Sequence, residues 1–245
     1  MASAAARKCP MTQIPGWHLS TLLYEPLHVG PLGVCQDACG ITLVDLCMEG
    51  AFGDSAEHGT WQEKLQPQLD SAYEEFILHC KSHQPRLYTT QKRFTVASLD
   101  MKTLNTSWPR LKTKGGNCLV VLKWLALQAR AHCTGTEASE LRAATIWGYA
   151  EFFNVITTAA DPDWLTESEL AKLNIATQIA LKGWNALEAI SRVNGVARWK
   201  MRPKHHAFWH INEWAQTTKR NPRSSWTKNK KTRNKQIRGP LKMKT

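Results

Sequence analysis

Two capping boxes, each followed by a long apolar stripe, constrain the fold of this chain more than any other feature. Thr60-Trp-Gln-Glu63 and Thr166-Glu-Ser-Glu169 each place a hydroxyl and a carboxylate three residues apart. The two side chains can then satisfy each other's free backbone N–H groups at the start of a helix. The stripes behind the boxes predict helices over 61–82 and 166–193. Both helices are amphipathic, so their apolar faces need partners.

The same periodicity predicts several more helices, and these would supply the partners. The predicted additional helices cover 34–48, 117–132, 137–160 and a shorter 203–215, where Pro203 suits the first helical turn. Residues 84–116 have an irregular pattern, and only 93–96 suggests a strand. We therefore predict a mainly α helical bundle with a flexible N-terminus over 1–16, a helical domain over 17–214 and a disordered basic tail over 215–245. The predicted core includes Trp124, Trp147, Phe152, Leu173 and Trp184.

Charge is divided unevenly along the chain. The 245 residues include 32 Lys+Arg and 20 Asp+Glu, a net charge of +12. Residues 198–245 contain fifteen basic residues and one acidic residue, Glu213, so they carry +14 and residues 1–197 carry −2. A basic extension on a nearly neutral body indicates a polyanionic partner, nucleic acid and DNA in particular, and a nuclear location. The alternative is a solvated tail without a selected role.

The predicted nucleic-acid contacts are the cations of the C-terminal region, which would bind phosphates regardless of base sequence. They are Arg202, Lys204, Arg223, Lys228, Lys230, Lys231, Arg233, Lys235 and Arg238. Trp226 is predicted to stack on a base.

Neither a secretory signal nor a membrane span is expected. No apolar stretch follows the basic pair of the N-terminal segment. The longest apolar run, over 118–129, is twelve residues long and contains Lys123, so it is too short to cross a bilayer. The seven cysteines are odd in number and lie mostly in apolar helical patterns, which favours reduced thiols and an intracellular protein.

One constellation has the spacing of a metal chelate. His206 and His210 are four residues apart on the predicted short helix, and Glu213 follows three residues later. Imidazoles at this spacing share a helix face and can bind one divalent ion, with the carboxylate as third ligand or base. The alternative is an amphipathic helix in which the histidines pack beside Phe208 and Trp209. No cofactor is expected otherwise, since the chain has no phosphate loop or dinucleotide-binding glycine pattern.

Two segments together carry a family resemblance. The first is Glu25-Pro-Leu-His28, followed by Gly33-Val34, Asp37 and an apolar helix. The second is Trp199-Lys-Met-Arg-Pro-Lys-His-His206, completed by His210 and then Asn221-Pro-Arg223. Their order resembles the C-terminal part of cut-and-paste transposases of the CACTA (En/Spm) type. It also resembles a multicopy group of protist proteins that has a Trp-Lys-x-Arg-Pro-Lys-x-His block.

The resemblance implies that most of this chain is the helical insertion of a ribonuclease-H-like core. In such enzymes carboxylates hold two divalent ions for strand cleavage and transfer. Glu25 stands where the family has Asp, however, so only His28 matches that motif in full. From Ala215 to the end there is no acidic residue, and the family's first two catalytic aspartates would lie before Met1.

Three functions remain open on this basis. The leading hypothesis is a non-catalytic, transposase-derived protein that binds nucleic acid through its basic C-terminal region. The second is a fragment of a divalent-metal-dependent transposase or nuclease, in which Glu25, His28 and Glu213 are the candidate catalytic residues and His206 and His210 bind the metal. The third is a helical module that binds a partner protein through exposed tryptophans.

Overall fold

Helices make up the regular structure of the computed structural model, which describes residues 24–53 and 58–226. Within these two ranges there is no β-strand, and the predicted mainly α helical bundle is confirmed. The α-helices are α1 (Pro26–Val29), α2 (Cys35–Met48), α3 (Trp61–Ser82), α4 (Gly115–Ala131), α5 (Glu137–Thr158), α6 (Glu167–Val193) and α7 (Pro203–Thr218). The predictions for 1–16 and for the chain beyond 226 lie outside the described residues.

Both predicted capping boxes form and begin α3 and α6. The backbone N–H of Thr60 donates to Glu63 Oε2 at 2.7 Å, and that of Thr166 donates to Glu169 Oε2 at 2.8 Å. Each carboxylate also accepts a hydrogen bond from the threonine hydroxyl. The backbone hydrogen bond, followed by that of the hydroxyl, lowers the pKa of both Glu63 and Glu169. Local polar chemistry therefore determines where these two amphipathic helices begin.

The helix predicted over 34–48 is confirmed as α2, and a short helical segment precedes it. Pro26 starts α1, and a single π-helical turn over Gly30–Val34 leads from α1 to α2 through a kink at Gly33, where the backbone is not helical (φ −130°, ψ −108°). Over Pro26–Met48 this segment is long and apolar enough to cross a membrane by length and composition, but 83% of its most apolar window is buried within the protein. Such burial is typical of the central helix of a folded domain.

The most extensive packing between elements is that of α5 with α6. A Cβ atom at Gly148 of α5 would lie 2.8 Å from the Ala176 carbonyl oxygen and the Ala180 nitrogen of α6. Glycine thus lets the two backbones approach closely at this crossing. The loop between the helices is short, so the pair forms an antiparallel hairpin.

The predicted core is confirmed at four of its five positions. Trp124, Phe152, Leu173 and Trp184 are fully buried, whereas Trp147 is 44% exposed and its prediction is wrong. The buried stripe of α5 uses positions on either side of Trp147, which leaves the indole on the outer face of the helix. Two aromatic clusters fill the core. One surrounds Trp124, and the other joins Tyr149, Phe152, Phe208 and Trp184.

The irregular segment between α3 and α4 is tied to α2. As predicted, it lacks regular helix apart from one 3₁₀ turn, Ala97–Leu99. The strand suggested at 93–96 does not form, because Phe94 instead inserts as a single buried anchor into the Trp124 cluster. Further along, the Leu111 N–H donates to the carbonyl oxygen of Gln36 at 2.9 Å, which fixes the neighbouring Arg110 beside α2.

The folded domain continues past the predicted boundary at residue 215. That position lies inside α7, and a 3₁₀ turn, Pro222–Ser225, follows. Asn221 is buried and its side-chain amide donates to the Ile156 carbonyl oxygen at 3.1 Å. Trp226 is only 6% exposed and its ring lies 6.3 Å from that of Phe153. The prediction that Trp226 stacks on a base is therefore wrong, because the indole packs against the protein's own core.

Candidate functional site

The two segments that carry the family resemblance meet in the fold. The Lys204 ammonium group donates to the carbonyl oxygens of His28 at 2.9 Å and Leu32 at 3.3 Å. Gly33 permits this approach, since a Cβ atom there would lie 2.7 Å from Lys204 Cδ and 2.8 Å from the His28 carbonyl oxygen. We call this contact between residues 25–37 and 202–210 the junction.

One carboxylate, Asp37, lies at the centre of the junction. Arg202 Nε is 3.2 Å from Asp37 Oδ2, and Arg110 Nε is 3.7 Å from Asp37 Oδ1. Burial raises the pKa of Asp37, while the charges of Arg202, Arg110 and Lys204 act in the opposite direction. With three cations nearby we regard Asp37 as ionised at neutral pH, because the ion pairs favour the charged form.

The three cations of the junction also act on one another. Burial lowers the pKa of Lys204, and the positive charge of Arg110 lowers it further. Arg110 Nη2 donates to the Leu32 carbonyl oxygen at 3.0 Å, so Arg110 and Lys204 share this acceptor. Arg110 also donates from Nε and Nη2 to Gln36 Oε1. Arg110, Arg202 and Lys204 thus form with Asp37 a cluster of three positive charges and one negative charge.

Arg110 is the residue of this site that the sequence did not reveal. It lies in the irregular segment before α4, far from both motif segments along the chain. A basic residue after Trp108-Pro109 carries no local signal of function. Only the hydrogen bonds of this segment to α2 bring Arg110 to Asp37.

His205 is a buried residue that stabilises the backbone of the junction at Arg202. It is buried, its ring lies 4.3 Å from that of Trp184, and its Nδ1 accepts a hydrogen bond from the Arg202 N–H at 3.0 Å. Burial lowers the pKa of His205 to about 4. A neutral imidazole therefore positions the backbone of Arg202 at the start of α7.

The two histidines that are predicted to chelate a metal lie close together. His206 Nε2 and His210 Nε2 are 2.9 Å apart on α7, and Glu213 Oε2 lies 2.6 Å from His210 Nδ1. The Tyr24 ring stacks on the His210 ring with centroids 5.9 Å apart. Glu213 thus contacts the far nitrogen of His210, an arrangement that fixes the orientation of the imidazole. Across the described residues, no group of three or more His, Cys, Asp or Glu side chains could hold a metal ion.

Glu25 and His28 contact each other at the start of α1. The Glu25 carboxylate accepts from the His28 N–H at 2.8 Å and also contacts His28 Nδ1. Glu25 therefore acts as the N-cap of α1. These contacts give Glu25 and His28 a structural role at the start of α1.

Of the remaining residues that are predicted to contact nucleic acid, one precedes Trp226 and six follow it. Arg223 is half-buried, and its Nη1 donates to the Thr157 carbonyl oxygen at 2.9 Å. The other six residues, Lys228, Lys230, Lys231, Arg233, Lys235 and Arg238, lie outside the described residues.

Fold and site together define a mainly α domain in which a cationic junction joins the N-terminal helix to the last one. Neither the family models, nor the curated proteins, nor the solved structures compared with this chain give a match.

Proposed function

We propose that this protein is a non-catalytic, transposase-derived protein that binds nucleic acid, DNA in particular, by electrostatic attraction through its basic C-terminal region. The charge distribution carries the proposal. Residues 227–245 contain eight Lys+Arg and no Asp or Glu, and residues 1–226 carry the remaining +4. This segment begins directly after Trp226, whose side chain is packed in the core.

Such a segment suits a phosphate backbone. Each phosphate that a lysine or arginine neutralises releases condensed counterions, so affinity depends steeply on salt and little on base sequence. Phosphate contacts position a protein on nucleic acid, whereas base contacts are needed to specify a sequence. We therefore propose general affinity for nucleic acid, without a defined target site.

The surroundings of the acidic residues support the non-catalytic part of the proposal. A two-metal mechanism needs close carboxylates that can face the ions. Asp37 is instead surrounded by three cations, Glu25 caps α1 and Glu213 contacts His210. The proposed ancestry rests on the sequence resemblance, and the contact between its two segments at the junction is consistent with a shared ancestral substructure.

A salt titration of duplex DNA binding tests the proposal. The full chain is compared with a variant in which Lys228, Lys230, Lys231, Arg233, Lys235 and Arg238 are replaced by Gln. If these six residues neutralise phosphates, the slope of log K against log salt should be about −5 for the wild type. In the variant, the part of the slope that these six residues contribute should be close to zero. Random and defined duplexes should bind about equally.

A matched control removes six exposed cations from the folded domain. It replaces Lys81, Lys92, Arg93, Lys123, Lys172 and Lys182 by Gln. Equal loss of affinity in both variants would show that only net charge matters and would contradict the assignment to residues 227–245. A wild-type chain without salt-dependent affinity would favour the protein-interaction module instead. A truncation should end after Trp226, because deletion from residue 215 would remove Asn221 and Trp226 from the core.

The His206–His210 pair favours one second candidate, a fragment of a metal-dependent transposase or nuclease. We propose to measure Zn²⁺ binding to the full chain and Mg²⁺- or Mn²⁺-dependent DNA cleavage. His79 and His83 provide a matched control pair, since they too are four residues apart but their ring centroids are 5.9 Å apart, against 4.2 Å for His206 and His210. Zn²⁺ binding that is lost in His206→Ala and kept in His79→Ala would support the candidate. Absence of both binding and cleavage would end it.

A further inference from the structure

We propose that Arg110, Arg202 and Lys204 form a phosphate-binding site on the folded domain, which takes a backbone phosphate of the bound nucleic acid. This inference rests on the proposed function and adds an ordered contact to it. The side chains of this site are held in place by the fold.

The positions of the three cations are fixed by two shared acceptors. Asp37 lies between the two guanidinium groups, with Arg202 Nε at 3.2 Å from one carboxylate oxygen and Arg110 Nε at 3.7 Å from the other. The Leu32 carbonyl oxygen lies between Arg110 Nη2 at 3.0 Å and Lys204 Nζ at 3.3 Å. The three side chains therefore converge on one small region.

The charge of this cluster is unbalanced. Asp37 is the one carboxylate among the described charges that act on Lys204, and it faces three cations. An excess of two positive charges in a partly buried region is costly unless an anion neutralises it. A phosphate group supplies the missing negative charge and several acceptor oxygens.

Donors remain available for such an anion. Arg202 uses Nε toward Asp37, and within the described part of the chain its two terminal nitrogens have no hydrogen-bond partner. The side chains of Arg202 and Arg110 are 34% and 32% exposed, so a ligand can reach both. A planar guanidinium fork matches phosphate oxygens in a bidentate manner, whereas a lysine ammonium group acts as a point charge.

The test uses the full chain, fluorescence anisotropy with duplex DNA, and variants that change the junction in opposite directions. Arg202→Gln and Arg110→Gln should each weaken binding about fivefold and reduce the salt slope by about 1. Asp37→Asn removes the only negative charge of the cluster and should tighten binding. Arg192→Gln is the matched control, because Arg192 is exposed and pairs with Glu188 away from the junction.

Inorganic pyrophosphate provides a second measurement that does not depend on DNA. It should raise the midpoint of thermal unfolding of the wild type and of the variant with six Gln substitutions in residues 227–245. It should not raise the midpoint of Arg202→Gln. Pyrophosphate binding without DNA binding would overturn the proposed function and the nucleic-acid source of the phosphate, yet support the site itself. DNA binding that Arg110→Gln and Arg202→Gln change no more than Arg192→Gln would overturn the site and leave the proposed function standing. If Arg202→Gln fails to fold, Asp37→Asn decides, because unchanged or weaker binding there contradicts the site.

Discussion

The two ends of α2 both carry buried ion pairs, but they are balanced differently. At the C-terminal end, Arg198 Nε is 3.1 Å from Asp45 Oδ1, and Arg142 donates to both carboxylate oxygens of Glu49. Each acid there has its own arginine. At the N-terminal end a single acid, Asp37, faces three cations. Where acidic and basic side chains are equal in number, their ion pairs hold the packed helices and loops together. Where basic side chains are in excess, part of their charge remains available to bind an anionic ligand.

Exposure separates the two ends in the same way. The side chains of Arg142 and Arg198 are 4% and 6% exposed, against about a third for Arg110 and Arg202. Arg198 also donates to the Leu104 and Ser107 carbonyl oxygens, so it ties the loop before α4 to α2. The C-terminal end of α2 is therefore structural, and the N-terminal end remains accessible.

The largest expected effect is that of Trp184→Ala, which tests whether the two ends depend on one core. The Trp184 ring lies 5.0 Å from Trp199, next to Arg198, and 4.3 Å from His205, near Arg202. Removing this fully buried indole should lower the free energy of unfolding by about 3–5 kcal/mol. Urea unfolding measures the loss, and a value below about 1 kcal/mol would contradict the packing.

A matched pair of substitutions tests the comparison directly. Arg198→Met leaves Asp45 without its arginine and should cost about 3 kcal/mol of unfolding free energy. Arg202→Met should cost only about 1 kcal/mol, because Asp37 keeps Arg110 and Lys204. If urea unfolding gives equal losses of unfolding free energy for the two variants, the ion pairs at both ends of α2 stabilise the fold to the same extent.

The pH dependence of stability sharpens the account of the N-terminal end. His205 takes up a proton near pH 6.5 when the chain is unfolded but only near pH 4 in the folded protein. The unfolded state thus binds more protons between these values, and stability should fall by about 3 kcal/mol as the pH drops from 7 to 4.

His205→Asn is the variant that isolates this effect. Asparagine can still accept the Arg202 N–H bond but does not titrate. Burial raises the pKa of Asp37 and Asp45, which favours folding as the pH falls, but both residues are present in both proteins. The difference between wild type and variant therefore reports His205. Parallel stability curves over pH 7 to 4 would contradict a neutral, buried imidazole.

The smallest expected effect is that of Trp147→Ala, the surface control for Trp184→Ala. Trp147 is 44% exposed and lies on the outer face of α5. Its loss should lower the unfolding free energy by less than about 1 kcal/mol. A loss comparable to that of Trp184→Ala would mean that this face of α5 is packed in solution.

Local signals in the sequence were sufficient for most helix boundaries. The capping boxes at Thr60 and Thr166 act through residues three apart, so pattern and structure agree there. The helix predicted over 34–48 agrees with α2, whereas Pro31 and Gly33, which ordinarily break helices, give no signal for the short helical segment before it. Trp147 lies off the buried stripe of α5, so the size of its side chain does not by itself place it in the core.

The candidate site was predictable only in part. The sequence singled out Arg202, Lys204 and the histidines of α7, but it gave no means to see their contacts with Asp37 and Leu32. Those contacts depend on how the last helix docks against the first, which is a property of the whole core. Arg110 could not be found in this way, since the loop that carries it has no periodicity.

The burial of Trp226 determines where the basic segment begins. The turn Pro222–Ser225 contacts α1, which contributes the His28 carbonyl oxygen that Lys204 binds. Trp226, the last described residue, therefore lies on the same side of the domain as the junction. A nucleic acid held by either the basic segment or the junction would be presented to the other at high effective concentration, so their combined affinity would exceed what either could supply alone.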